Sequence, residues 1–265
     1  MINEITFPAL NLKLHISRIA FSLFGVNIYW YAILITFAIA LAIFLMNKDD
    51  KKYNINFDDI LLLIIITIPI AFIGARIYYV IFNSNYYFSN PGKILNIRDG
   101  GLAIYGGIIA GTITIIMYCK IKKINILDVL DYVVPYVAMG QAIGRWGNFI
   151  NVEAYGTETS NLFRMGIIEN NIYKEVHPTF LYESIVTFFL FIFLFQIKNK
   201  RKYSGQLTYI YLAIYSIARF FIEGLRTDSL MLGNIRISQL ISLIIFIFSI
   251  LMILINKYQK SKETR

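Results

Sequence analysis

Charge is what this sequence has least of. Only 15% of its 265 residues are Asp, Glu, Lys or Arg, against about 25% in an ordinary soluble domain. The deficit is concentrated in long apolar runs, such as residues 60–82, 180–197 and 237–255. Each is about the 20 residues needed to cross a ~30 Å hydrocarbon core. Such runs recur along the whole chain, so residues 1–265 read as a single polytopic membrane domain with no room for a large soluble one. Cysteine is nearly absent, and the lone Cys119 excludes an internal disulfide. The two histidines, His15 and His177, belong to distant segments and share no i, i+4 spacing, so no metal site is expected. Neither a P-loop nor a dinucleotide fingerprint occurs, so no cofactor is expected either. No internal repeat or low-complexity tract is evident, where an inverted-repeat transporter leads one to look for two matching halves. Residues 1–10 hold Asn3, Glu4 and Pro8 without a basic start, so no cleavable signal peptide is expected.

What is abundant is apolar surface, at 57% of residues, and positive charge, at a formal net of +9. In a soluble protein that charge points toward nucleic acid. Here the lysines and arginines sit in short loops between spans, which is an orientation signal instead, and no nucleic-acid partner is expected. Seven spans are predicted, at residues 21–46, 60–82, 102–119, 129–145, 180–197, 206–224 and 237–255. The fourth contains Asp131, Pro135 and Gln141, so hydropathy alone does not demand it. Charge parity does. Basic clusters occur at Lys48, Lys51 and Lys52; at Lys120, Lys122 and Lys123; at Lys198, Lys200, Arg201 and Lys202; and at Lys257, Lys260, Lys262 and Arg265. Seven spans place all four on one side, with the amino terminus outside and the carboxyl terminus cytoplasmic. The expected fold is therefore an all-α membrane protein of seven transmembrane helices. The outer loop at about residues 146–179 is too long for a plain connector and reads as a small extracytoplasmic head segment. Residues 10–20, with Lys13, His15 and Arg18 toward water, read as an amphipathic surface helix.

Charged groups within spans are costly and mark function by default. On the sixth span Tyr215, Arg219, Glu223 and Arg226 fall within an arc of about 80°. This stripe is either a self-neutralising ladder or a site whose surplus arginine takes an anion, for which guanidinium forks suit phosphate oxygens. A second cluster runs from Gly144 to Gly156. Arg145 there is an anion binder or a snorkelling side chain beside a glycine-rich turn. Asn148 and Asn151 offer hydrogen bonds, and Glu153 can pair with an arginine or hold a loop. A third cluster, Asp99 to Gly107, enters the third span. Its glycines read as close helix packing, and its Tyr105 phenol, with an ordinary pKa of about 10, is a poor base. Arg76 is an intramembrane anion site or the partner of an acid. Tyr29 and Trp30 read as interfacial aromatics. His177, leading into Pro178, reads as a loop contact at a helix start.

Together these segments resemble the prolipoprotein diacylglyceryl transferase family over residues 29–239. Gly144 to Gly156 looks like the family signature, and Gly100 to Gly107 looks like its Gly-Gly-Leu…Gly-Gly segment. His177-Pro178-Thr179 with Tyr182-Glu183, and the stripe Tyr215, Arg219, Glu223, Arg226, are similar to later motifs. The resemblance implies a seven-span protein of the bacterial inner membrane that works at the outer leaflet. It would move diacylglycerol from phosphatidylglycerol to the thiol of a lipobox cysteine in a prolipoprotein signal peptide, forming a thioether and releasing glycerol 1-phosphate. By resemblance Arg145 and Arg219 carry the reaction. Tyr31, Asn148, Glu153, Gly156, Tyr215, Glu223 and Arg226 bind substrate beside them, and Asn151 is counted with these. Several members have histidine where this chain has Tyr105, so Tyr105 stands as the third candidate catalytic residue, donating a hydrogen bond or relaying a proton, and a histidine-based mechanism is in doubt. Two readings of other classes stay open: a transporter or flippase for an anionic lipid or metabolite, and a structural scaffold.

Overall fold

The computed structural model describes residues 2–49, 53, 55–96, 100–233 and 235–263. Of the residues named above, Lys51, Lys52, Asp99 and Arg265 lie outside the described residues. The chain forms two compact units, Met1–Leu45 with Asp131–Arg265, and Met46–Leu130.

The first unit opens on strands, which corrects both the all-α class and the surface helix expected over residues 10–20. Strand β1 (Ile2–Phe7) pairs antiparallel with β2 (Leu12–Ser17), Ile5 opposite Leu14 and Glu4 opposite His15. The period explains it. Leu12, Leu14 and Ile16 alternate with Lys13, His15 and Ser17, a repeat of two rather than 3.6. A hairpin follows, β3 (Ile19–Leu23) and β4 (Val26–Tyr29), turning at Phe24 and Gly25, both with positive φ. The first long helix, α1 (Trp30–Asn47), therefore starts nine residues later than hydropathy suggests. Strands β5 (Met165–Glu169) and β6 (Ile172–Val176) complete a four-stranded sheet in the order β2-β1-β5-β6.

Among the described residues seven further α-helices follow α1: α2 (Phe57–Phe82), the short α3 (Ser84–Ser89), α4 (Ile104–Lys122), α5 (Ile126–Asn151), α6 (Thr179–Ile197), α7 (Gln206–Leu225) and α8 (Ile237–Glu263). The two-residue strands β7 (Met231–Leu232) and β8 (Ile235–Arg236) pair ahead of α8. Among the described residues six helices are long and apolar enough to cross a membrane: α1, α2, α4, α5, α6 and α8. Helix α7 is as long but carries Arg219, Glu223 and three tyrosines, and its apolar residues are concentrated on one face.

Within the second unit α2 and α4 meet at glycine. A Cβ on Gly106 would overlap the Gly74 carbonyl, so the two backbones are in direct contact. For Gly106, and for Gly107 against the Ala71 carbonyl, the structure bears out the packing reading, whereas Gly100 has open space around it and a positive φ.

The four-stranded sheet covers the end of α5. Ile5, Met165, Ile167 and Val176 form one core with Phe149 and Phe180, whose rings stack at 4.6 Å. Trp146 meets both rings edge-on, at 5.9 and 5.6 Å. Asn3 donates to the Ile150 carbonyl at 2.8 Å, satisfying an acceptor in the last turn of α5. These contacts carry α5 to Asn151, six residues past its expected end at 145.

Candidate active site

The extension of α5 changes the geometry of the Gly144–Gly156 segment. Arg145 and Asn148 are not on a glycine-rich turn but lie three apart on one helix face, where their side chains meet. The glycines serve packing. A Cβ on Gly147 would overlap the Tyr31 ring, and one on Gly144 would touch Ile35, so both seat α5 against α1. Tyr31 is thereby placed against Gly147, two residues on from Arg145. Gly156 sits where three segments cross. Its N–H donates to the His177 carbonyl at 2.9 Å, and a Cβ would press on His177, Thr179 and the Leu225 carbonyl.

Helix α7 is set in register by its far end. Asp131 on α5, fully buried, accepts from the Gly205 and Thr208 amides at 2.8 Å each and from the Thr208 hydroxyl at 2.7 Å. Arg201 Nε lies 3.0 Å from Oδ2, the oxygen that also takes the Gly205 amide. The carboxylate is the N-terminal cap of α7, placed where the helix dipole favours an anion. Arg236 caps the opposite end by donating to the Gly224 carbonyl and, at 3.3 Å, to that of Arg226.

Between these caps the arginines converge on a residue from α6. Glu183 is 3% exposed. Its Oε1 accepts from Arg145 Nη2 at 2.5 Å and from the Tyr215 hydroxyl at 2.9 Å. Its Oε2 accepts from Arg219 Nη1 at 2.9 Å. Arg219 Nη2 also lies 2.5 Å from Glu223 Oε2, off the hydrogen-bond axis, so that close pair is electrostatic rather than directional. Outward from Arg145, Nη1 donates to Asn148 Oδ1 at 3.0 Å, and Asn148 Nδ2 donates to Glu153 at 2.8 Å. Asn151 reaches the same Glu153 oxygen at 3.4 Å. Tyr211, stacked on Tyr215 at 5.6 Å, donates to Gln141 at 2.9 Å.

This network revises the charge argument. The stripe on α7 was expected to keep a positive surplus. Instead Glu183 and Glu223 balance Arg145 and Arg219. Arg226 leaves the stripe altogether: it sits past the helix end with an extended backbone and grips Asp228 through two bonds of 2.8 and 2.6 Å. Glu183 was legible only as part of a motif. The signal that gives it a role is a carboxylate inside an apolar span, which needs a cation as partner. Among the described residues Arg145 directs two of its five N–H groups at protein acceptors and Arg219 directs one, with its Nη2 only close to Glu223, leaving donors for an anion.

Arg76 fits neither expectation. Its five N–H groups donate to five backbone carbonyls, those of Ile94, Gly100, Gly101, Lys93 and Asn96, at 2.8–2.9 Å. No donor remains for a ligand, and the side chain instead holds the segment before α4 in shape. Tyr105 lies on the first turn of α4, 40% exposed, in the second unit. Trp30 stands at the start of α1 with Tyr29 just before it, both exposed. His177 Nδ1 lies 3.2 Å from the Tyr182 hydroxyl, a contact at the helix start. Cys119 is buried. Among the described residues no three His, Cys, Asp or Glu side chains are grouped to hold a metal.

One residue on from Arg145 and Glu183, Trp146 and Ser184 line an apolar groove of about 490 Å³ shared with Leu41, Met139, Ile185 and Phe188. A charged, donor-rich centre therefore adjoins a greasy slot.

Comparison with known proteins gives the family of the chain. The family model described as prolipoprotein diacylglyceryl transferase matches residues 18–255. The chain is 50% identical to the phosphatidylglycerol–prolipoprotein diacylglyceryl transferase of Finegoldia magna over 244 residues, 92% of this chain and 96% of that one. It is 51% identical to the Clostridioides difficile protein of the same name over 227 residues, covering 86% and 90% of the two chains. The Bacillus mycoides counterpart is 41% identical over 258 residues, covering 94% and 96%. The chain belongs to the prolipoprotein diacylglyceryl transferase family.

Proposed function

We propose that this protein transfers the diacylglyceryl group of phosphatidylglycerol to the lipobox cysteine of a prolipoprotein. The observation that carries the reading is the pair Arg145–Arg219, held by one buried carboxylate beside an apolar groove. Paired cations with spare N–H groups suit a phosphate, and the groove suits an acyl chain.

In the reaction the cysteine sulfur attacks the glycerol carbon that bears the phosphate ester. The carbon–sulfur bond forms as the carbon–oxygen bond breaks, and glycerol 1-phosphate leaves with the bonding pair. The thiolate is the nucleophile, and a free thiol with a pKa of about 8.5 is only slightly ionised at neutral pH. Arg145 and Arg219 hold the phosphate and offset the charge that grows on the departing oxygen. Their spare N–H groups, rather than a net positive charge, also favour the thiolate. The departing phosphate monoester, whose second pKa is about 6, is itself a base for the thiol proton. No strong protein base is then required, which suits a chain with Tyr105 in place of a histidine. Tyr215 and Glu183 orient the arginines, and Asn148, Asn151 and Glu153 extend the network toward the headgroup. Tyr31, Gly156, Glu223 and Arg226 complete the substrate-binding set. Tyr105 enters as a hydrogen-bond donor to the headgroup on the strength of the resemblance. Holding both substrates in one site supplies the orientation term.

The proposed topology has seven spans, α7 included, in the bacterial inner membrane with the amino terminus outside. Lysine and arginine at the ends of α1, α4, α6 and α8 support it, since seven crossings put those ends on one side.

The test is to incubate the purified protein with phosphatidylglycerol and a lipobox peptide and weigh the peptide. A diacylglyceryl-sized gain, absent from a Cys→Ser peptide and lost in folded Arg145→Ala or Arg219→Ala protein, is the expected result. No gain from folded, lipid-binding protein would turn the reading toward a carrier of anionic lipid.

A further inference from the structure

The β3–β4 hairpin is left over by everything above. Its cross-strand pairs are Phe21 with Ile28, Ser22 with Asn27 and Leu23 with Val26. Side chains alternate across a strand, so Phe21, Leu23, Val26 and Ile28 share one face. The other face carries Ser22 and Asn27, joined by a hydrogen bond of 2.7 Å. The ribbon is therefore amphipathic. Its apolar face is nevertheless uncovered: Phe21, Leu23 and Val26 are 52%, 54% and 46% exposed, and Phe24 at the tip is 97% exposed. Phe24 also adopts φ +49, a left-handed backbone that a bulky residue takes at a cost. A two-stranded ribbon is marginal in water by itself, so an open apolar face on one calls for a partner.

Two facts point to which partner. The hairpin is continuous with α1, one of the helices long and apolar enough to cross a membrane, and the Trp30 amide donates to the Arg18 carbonyl at 3.1 Å, fixing the ribbon's base at the helix start. No charged residue occurs from Ile19 to Asn47, and no carboxylate from Ile5 to Lys48, while Lys13, His15 and Arg18 lie just ahead of the ribbon. The apolar face is thus tethered at a bilayer boundary with Arg18 at its base, while Lys13 on the preceding strand is already paired with Glu4 at 2.7 Å.

We propose that the hairpin lies flat in the headgroup region of an anionic bilayer surface. Its Phe21–Leu23–Val26–Ile28 face and Phe24 tip reach the upper acyl chains, and Ser22 and Asn27 face water. The outer N–H and C=O groups of both strands then stay at a depth where water and headgroups can satisfy them, which the hydrocarbon core would not allow. Amphipathic helices on a bilayer surface bury their apolar face about 5–10 Å into the headgroup–acyl boundary, a depth within reach of this ribbon's side chains.

The inference rests on α1 crossing the membrane and not on the transferase chemistry. Its test uses the full chain with Phe24→Cys carrying a polarity-sensitive fluorophore, and with Ser160→Cys, an exposed position in the segment between α5 and β5, as control. Both are reconstituted in vesicles of phosphatidylcholine and phosphatidylglycerol. Flotation with the vesicles reports the membrane reading separately, and a cooperative thermal transition reports folding. Expected at Phe24→Cys are stronger quenching by nitroxides high on the acyl chain than by deep ones, and quenching by aqueous iodide several-fold weaker than at Ser160→Cys. Equal iodide quenching at the two sites, with no nitroxide effect, in protein that floats would overturn the proposal. So would nitroxide-insensitive protection that arises only on adding a lipobox peptide, which would make the peptide the partner.

Discussion

Glu183 is the residue on which the candidate site turns. It is buried, it faces two guanidiniums from different helices, and it receives the Tyr215 hydroxyl as well. Without it Arg145 and Arg219 would repel each other in a low-dielectric setting. Removing one member of such a pairing typically costs about 3–5 kcal/mol, because the remaining charges lose their partner. Glu183→Gln keeps the shape and removes the charge. It should lower the midpoint of detergent-solubilised thermal unfolding by several degrees and, in protein that still folds, cut turnover by roughly a hundredfold, as for loss of one preorganised electrostatic contact. Turnover near wild type with intact folding would show that the arginines are positioned without it. Arg145 and Arg219 were readable in the sequence because a cation inside a span is conspicuous. Their shared partner was not, because it comes from α6 and only packing brings it within 3 Å. Arg76 makes the same point from the other side, since its five carbonyl partners carry no side-chain signature at all.

The elements shift the meaning of motifs that composition makes prominent. Gly144 and Gly147 suggest a turn on paper, yet they lie inside α5 and give α1 room to approach. The Gly147–Tyr31 contact is a coupled pair. Gly147→Val should cost about 1–3 kcal/mol through overpacking. In a Tyr31→Ala background the same change should cost markedly less, because the clash has been removed. A double-mutant cycle on unfolding midpoints measures the difference, and additive effects would refute the contact. Helix α7 was found by its stripe, but Arg226 lies beyond the helix end and pairs with Asp228. The amino-terminal strands are hard to read in the sequence because the apolar alternation of Leu12, Leu14 and Ile16 is too short to separate a repeat of two from one of 3.6.

Across the whole molecule the sheet links the amino terminus to the ends of α5 and α6, and one titratable group there senses the fold. Burial pushes the His177 imidazole below its ordinary 6.5. The folded state then prefers neutral His177, while the unfolded chain takes a proton more readily. Stability from this group is present above about pH 6.5 and is lost as pH falls through the lower folded value. The unfolding midpoint should therefore drop between pH 7 and 5, and His177→Gln should flatten part of that drop. The bond from Arg226 holds the Asp228 carboxyl below its ordinary 3.8, so that group acts only in stronger acid. An unchanged pH slope in His177→Gln would remove His177 from the account. What the sequence alone determined is the membrane class, the positions of the long helices and the basic edges, because hydropathy and charge act locally along the chain. What only tertiary structure decided is the charge balance around Arg145 and Arg219, the saturation of Arg76 and the sheet that extends α5. These depend on groups from distant segments meeting within hydrogen-bond range, which no local pattern encodes.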